Sequence, residues 1–95
     1  MQKVQRLPER DVGSVETTLR GLLADVLGIP ASRVAAFVEE TELFGALPEF
    51  DSMAVAALLT GLEERLGVLI EDDDVEAEDF MTFGRLLAFA ERLAA

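Results

Sequence analysis

The residue with the clearest potential for chemistry is Ser52, in the segment Phe50-Asp51-Ser52-Met53. A helical pattern begins here, directly after a bend that contains Gly and Pro, so the Ser52 hydroxyl lies at the start of a helix. From position alone it is an ordinary N-cap. The alternative is a modification site, because a phosphodiester on Ser52 would lie among free N–H groups at the positive end of the helix dipole. Since the sequence has no His to activate this hydroxyl, another enzyme would have to install the group.

Carboxylates form the other two candidate sites. The acidic run from Glu71 to Asp79 suggests calcium, but a loop starting at Asp72 lacks the Gly and the Glu that an EF-hand requires. Glu63 and Glu64 are adjacent, and adjacent residues on a helix do not face each other, so they are a poor acid–base pair. We interpret both groups as solvated helix or loop surfaces.

The composition of the 95-residue chain excludes several classes of protein. Without Cys or His it has no Cys–His or Ser–His–Asp catalysis, no disulfide and no zinc site built on those residues. Its 8 basic and 19 acidic residues give a net charge of −11, which disfavours nucleic acid and anionic membranes and favours basic partners. The longest apolar run, residues 53–59, is too short to span a bilayer. We expect a cytoplasmic monomer that binds no metal and does not insert into membranes.

Three amphipathic helices position these residues. Apolar side chains recur at helical spacing from Ser14, the expected first N-cap, to Gly28, again over residues 52–66, and again after Thr82. Gly61, inside the second of these helices, indicates close packing of a neighbour because Gly is otherwise unfavourable there.

The connections between these helices also carry predictions. Residues 29–50 lack a sustained period but contain many large apolar side chains, so we expect an ordered loop on the core, with one helical turn near residues 32–37. A short helix is expected over residues 75–80. No segment alternates with period two, so the class is all-α, with residues 1–12 a flexible lead-in and residues 13–95 the folded domain.

At these residues the sequence resembles an acyl carrier protein. That family has Asp-Ser-Leu at the start of its second helix, where the serine bears a 4′-phosphopantetheine arm; here the motif reads Asp51-Ser52-Met53. The resemblance covers about residues 14–93 and also rests on Thr41-Glu42-Leu43-Phe44-Gly45, Leu62-Glu63-Glu64-Arg65-Leu66-Gly67 and Ile70-Glu71-Asp72-Asp73-Asp74. Residues 43–55 are further similar to stand-alone carriers associated with exosortase and exopolysaccharide gene clusters of Gram-negative bacteria.

The resemblance implies a small four-helix bundle of acyl-carrier type that is not itself an enzyme. A phosphopantetheinyl transferase would move the arm from coenzyme A onto Ser52, flanked by Asp51 and Met53, and the arm's thiol would hold acyl groups as thioesters. Acyl-activating and acyl-transferring enzymes would be its other partners. If an acyl chain is sheltered between helices, the candidates for lining that space are Met53, Val55, Leu58, Leu59, Leu62, Ile70 and Phe80.

One departure from the family concerns docking. In fatty acid carriers the exposed face early in the second helix usually carries acidic residues, whereas here that turn contains Ala54, Ala56 and Ala57. Acidity returns only at Glu63 and Glu64. We therefore expect partner enzymes to dock on Ala54, Ala57, Glu63 and Glu64 through a flatter, more apolar contact.

The negative charge is concentrated around Ser52. Residues 34–84 contain 14 acidic residues and a single basic one, Arg65, whereas the segments on either side each have a net charge of +1. This distribution predicts attraction of basic enzymes and association that slows with added salt.

Two alternatives to an acyl carrier stay open at this point. One is a carrier of aminoacyl or peptidyl groups, which would differ only in the cargo on the arm. The other is a helical adaptor in which Ser52 is only a helix cap.

Overall fold

The computed structural model describes residues 12–95, which fold into four α-helices joined by ordered loops. The helices are α1 (Val12–Leu27), α2 (Ala31–Ala35), α3 (Ser52–Leu66) and α4 (Phe83–Ala94), and two 3₁₀ turns, Asp72–Asp74 and Ala77–Phe80, connect α3 to α4. Residues 12–95 contain no strand, only an isolated antiparallel bridge between Glu42 and Thr82. The predicted all-α class is confirmed. None of these helices combines the length and the apolar character needed to cross a bilayer.

Several element boundaries differ from those predicted. Helix α1 begins at Val12, so Ser14 lies inside its first turn rather than at the N-cap. The short helix expected over residues 75–80 is instead the 3₁₀ turn Ala77–Phe80, because Val75 and Glu76 before it are extended. The helical turn expected near residues 32–37 is α2. Apart from Val12, the expected lead-in of residues 1–12 lies outside the described residues.

Helix α1 packs against both α3 and α4 around one apolar core. Gly61 of α3 lies against α1, and a Cβ atom added there would come within 2.6 Å of the Leu22 side chain. This confirms the close packing predicted at Gly61. The large side chains that are almost fully buried are Leu19, Leu22, Leu23, Ile29, Leu43, Phe50, Leu58, Leu62, Phe83, Leu86 and Phe89.

A single arginine fixes the start of the long loop to the rest of the bundle. The guanidinium of Arg20, in α1, donates hydrogen bonds to the carbonyl oxygens of Val34 and Phe37, the latter over 3.1 Å. It also lies 4.5 Å from the centre of the Phe83 ring and pairs with Glu16 at 2.8 Å. Because these partners belong to α1, α2, the loop and α4, one side chain joins four parts of the fold.

The rest of this loop is bound to the chain around the start of α4. The backbone N–H groups of Phe83 and Gly84 donate to the carbonyl oxygens of Thr41 and Glu39, over 2.8 and 3.0 Å. In the opposite direction, the loop residues Leu43 and Phe44 donate to the carbonyls of residues 81 and 80, over 2.9 and 3.0 Å. Leu43 and Phe50 are buried in the core. The prediction of an ordered loop lying on the core is confirmed.

Candidate functional site

Ser52 is the first residue of α3, and the residue before it caps the helix. Asp51 has an extended backbone, and its Oδ1 atom accepts a hydrogen bond of 2.8 Å from the backbone N–H of Ala54. Ser52 is exposed, and its hydroxyl makes no hydrogen bond to any residue that the structure describes. The interpretation of Ser52 as only a helix cap is therefore wrong, because Asp51 already performs that role.

The chain before Ser52 is anchored on both sides of the bend. Gly45 adopts a positive φ of 90°, and Phe50 inserts its ring into the core just before the exposed residues 51–53. Glu49 accepts a hydrogen bond of 2.8 Å from Arg33, in α2. This bond lowers the pKa of the Glu49 carboxyl and raises the pKa of the Arg33 guanidinium. The buried ring and the ion pair together hold the hydroxyl of Ser52 at a defined place on the surface.

An apolar cleft opens beside Ser52. It has a volume of about 290 Å³, and Ser52 is its one polar lining residue. We call it the Ser52 cleft, and its lining consists of Phe44, Ser52, Val55, Val75, Ala77 and Phe80. The walls come from the long loop, from α3 and from the 3₁₀ segment, so three separate stretches of sequence meet at the serine.

Only part of the lining predicted from the sequence belongs to this cleft. Val55 and Phe80 line it, whereas Leu58 and Leu62 are fully buried in the core. Leu59 and Ile70 are half-buried and pack against the core without lining the cleft. Met53, with 81% of its surface exposed, points to solvent. The sequence pattern identified the apolar stripe of α3 correctly but not the part of it that stays open.

Three lining residues were not predicted, namely Phe44, Val75 and Ala77. Phe44 is 38% exposed, and its backbone is held against that of Phe80 by the hydrogen bond between them. The sequence did contain an indication for Phe44. A large aromatic side chain only eight residues before Ser52 is expected to pack against apolar neighbours. Val75 and Ala77 carry no such signal, because their approach to Ser52 depends on contacts distant in sequence.

The structure corrects one of the predicted docking residues. Ala54 is only 9% exposed, so it cannot form a docking surface. The carboxylate of Glu63, which is partly exposed, accepts a hydrogen bond of 2.8 Å from the backbone N–H of Ile70 and so also stabilises the end of α3. Ala57 and Glu64 are exposed as expected. The exposed face of α3 that adjoins the serine consists of Met53, Ala56, Ala57, Thr60 and Glu64.

The acidic run is not uniformly solvated. Asp79 is 7% exposed, and its carboxylate accepts hydrogen bonds from the backbone N–H of Glu76 over 3.0 Å and from Arg92 over 3.4 Å. These bonds shape the 3₁₀ turn that brings Phe80 to the cleft. Within residues 12–95, no group of three or more carboxylates is arranged to hold a metal ion.

The chain is similar to known proteins over most of its length. The sequence model of the family described as "Phosphopantetheine attachment site" matches residues 17–93. The fold is similar to the solution NMR structure of a holo acyl carrier protein from Nitrosomonas europaea, with a TM-score of 0.71 and 37% sequence identity. That match covers 82% of this chain and 92% of the other. A search of curated proteins found no match.

Proposed function

The chain belongs to the phosphopantetheine-attachment family and serves as an acyl carrier with covalently bound 4′-phosphopantetheine, and from this premise we propose that Ser52 is the residue that bears the arm. The proposal rests on the different roles of two neighbouring residues at the start of α3. Asp51 caps the helix, and the adjacent hydroxyl of Ser52 is exposed and free of hydrogen bonds to the described residues.

The residues around Ser52 fit a phosphodiester. The first N–H groups of a helix lack intrahelical partners, and the helix dipole stabilises negative charge at this end. Asp51 uses its carboxylate to accept from Ala54, which leaves the remaining N–H groups of the first turn without a side-chain cap. Because Ser52 is the first residue of a helix of 15 residues, a phosphate on its oxygen would lie beside these donors.

In the attachment reaction, the Ser52 oxygen forms a bond to the phosphorus of the pantetheine phosphate in coenzyme A. The pyrophosphate bond to the adenosine part breaks, and adenosine 3′,5′-bisphosphate leaves. The proton of the hydroxyl passes to a base on the transferase, since the chain has no His that could accept it. When bound, the arm supplies the thiol on which acyl groups are carried.

We further propose that this protein contributes no catalytic group of its own to that reaction or to later acyl transfers. A carrier domain works through enzymes that visit it, and we propose a phosphopantetheinyl transferase together with acyl-activating and acyl-transferring enzymes as these partners. The setting would be the cytoplasm, where coenzyme A is available. The contact surface for these enzymes would include the exposed side chains of Met53, Ala57 and Glu64 along α3, of which only Glu64 is charged.

The test is incubation with coenzyme A and a broad-specificity transferase, followed by mass spectrometry of the intact protein. We expect wild type and Asp51→Asn to gain the mass of one phosphopantetheine, and Ser52→Ala to gain none. Peptide mapping should place the modification on Ser52. A Ser52→Ala variant that accepts the arm as well as wild type would show that the assignment is wrong.

A further inference from the structure

The Ser52 cleft presents apolar walls beside Ser52, the residue that would bear the arm. Ser52 belongs to the lining itself, and the other five lining residues are apolar. We propose that this cleft binds the dimethyl segment of the arm, the pantoyl carbon that carries two methyl groups. This inference rests on the proposed attachment at Ser52.

The order of chemical groups along the arm selects that segment. After the phosphate come one methylene and then the carbon with its two methyl groups, and beyond it lie a hydroxyl, two amides and finally the thiol. The dimethyl carbon is therefore the apolar group nearest to the serine. It can reach walls that adjoin Ser52, whereas an acyl group on the thiol could do so only if the arm folded back on itself.

The fold itself fixes two walls of the cleft. Phe80 is buried and packs against Phe89 with 5.9 Å between ring centres, so the inner wall is part of the core. Phe44 forms the facing wall, and its backbone N–H donates to the carbonyl of Phe80 over 3.0 Å. A preformed apolar pocket binds a group at a small cost in conformational ordering. Methyl groups seated there would also remove part of the exposed Phe44 ring from water.

The Ser52 cleft is large enough to hold the dimethyl segment. A closed cavity of about 150 Å³ is sufficient to bind benzene, and the Ser52 cleft has about 290 Å³. A second, more open depression that also adjoins Ser52 is lined by residues 44–48 and 50–52. Its walls come from a single loop and the helix start, and they include the acidic residue Asp51. The Ser52 cleft, with apolar side chains from three segments, is the better match for two methyl groups.

The experiment uses the holo protein with a free thiol, made with isotope-labelled coenzyme A and checked by mass spectrometry. We expect the two pantoyl methyl signals to shift upfield from their positions in free coenzyme A, because of ring currents, and to show nuclear Overhauser contacts to Phe44 and Phe80 protons. Phe44→Ala should remove most of the shift. Ala77→Leu, which fills the cleft from another wall, should also abolish the contacts. Leu69→Ala removes an apolar side chain that is 77% exposed and lies outside the cleft, so it should leave the signals unchanged.

The outcomes separate this inference from the function on which it rests. If the arm is attached to Ser52 but its methyl signals stay at their free positions, the inference is wrong and the attachment stands. If contacts to the cleft arise only after the thiol is acylated, the cleft holds cargo rather than the arm, which also overturns the inference. If the wild type gains no mass, both fail together.

Discussion

The Oδ1 atom of Asp51 lies 2.8 Å from the backbone nitrogen of Ala54, and this bond caps the helix that begins at the next residue, Ser52. Two neighbouring residues with the same capping chemistry therefore have different roles. Because the carboxylate satisfies the helix end, the hydroxyl can be modified without loss of a cap. Stability and modification should respond to different substitutions at this site.

The first prediction separates those roles by unfolding the unmodified protein. Asp51→Ala should lower the free energy of unfolding by about 1 kcal/mol, the usual cost of a lost N-cap. Ser52→Ala should change it by less than about 0.5 kcal/mol, as for other exposed positions. Urea denaturation followed by circular dichroism measures both, with Asp51→Asn as the control that retains a capping oxygen. Equal losses for Asp51→Ala and Ser52→Ala would contradict the assignment of the cap.

A second prediction concerns two adjacent glutamates at the end of α3. The Glu63 carboxylate accepts from the Ile70 N–H over 2.8 Å, whereas Glu64 is exposed. Glu63→Ala should cost about 1 kcal/mol because the partly buried N–H of Ile70 loses its acceptor, and Glu64→Ala should be nearly neutral. Chemical denaturation provides the comparison, and Glu63→Gln, which keeps an acceptor oxygen, should recover part of the loss. The interpretation fails if Glu64→Ala is the more destabilising of the two.

The third prediction compares two helical glycines. A Cβ atom added at Gly84 would lie 3.0 Å from the carbonyl oxygen of Glu39 and 3.1 Å from its Cβ atom. Glu39 cannot easily move away, because its carbonyl oxygen accepts a hydrogen bond from the Gly84 N–H. At Gly21 the nearest atom would be 3.7 Å away, in the Arg65 side chain. Gly84→Ala should therefore destabilise by about 1 kcal/mol or more through overpacking. Gly21→Ala should stabilise by about 0.5–1 kcal/mol through helix propensity. Thermal unfolding of both variants is the measurement, and a gain in stability for Gly84→Ala would be the contrary result.

Local pattern was sufficient to predict the helices that position the site. The apolar stripe from Val55 to Leu66 and the cap-type residues before it identify α3, because both signals lie within a few residues of each other. The pattern could not decide whether Asp51 or Ser52 caps the helix. Both side chains can accept the capping hydrogen bond, and which of them does so depends on whether the helix begins at residue 52 or at residue 53.

The cleft was harder to predict than the helices because its walls are distant in sequence. Phe44 and Phe80 are brought together by a backbone hydrogen bond between a loop and a 3₁₀ turn, and periodicity contains no information on such pairs. Periodicity also places Leu58 and Val55 on the same apolar stripe, although the first is fully buried and the second half-exposed. The segments that pack against an apolar stripe decide which of its side chains remain accessible to solvent.

A fourth prediction follows from the ion pair between Arg33 and Glu49. The hydrogen bond from Arg33 lowers the pKa of the Glu49 carboxyl below its ordinary value of 4.5. A carboxyl with a lowered folded-state pKa stabilises the fold above its unfolded pKa, and that contribution is lost as the pH falls through the folded value. Carbon-13 NMR titration should show the Glu49 pKa rising in Arg33→Gln and lying between the two in Arg33→Lys. The stability difference between wild type and Arg33→Gln should be larger near pH 6 than near pH 3. An unchanged Glu49 titration in Arg33→Gln would rule out the pairing in solution.

The last prediction tests whether the charge around Ser52 guides the transferase. A unit charge about 10 Å from a basic partner group contributes about 0.4 kcal/mol in water, a factor of about two in rate. Glu78 is exposed beside the cleft residue Ala77. The substitution Glu78→Gln should therefore reduce the kcat/KM of the transferase for this protein about twofold at low salt. Glu91→Gln, in the second half of α4 and outside the acidic stretch, is the matched control and should change it less. Near 1 M salt the screening length falls to about 3 Å, so all three proteins should converge on one slower rate. A wild-type rate that does not depend on salt, or an equal effect of Glu91→Gln, would show that the clustered charge has another purpose.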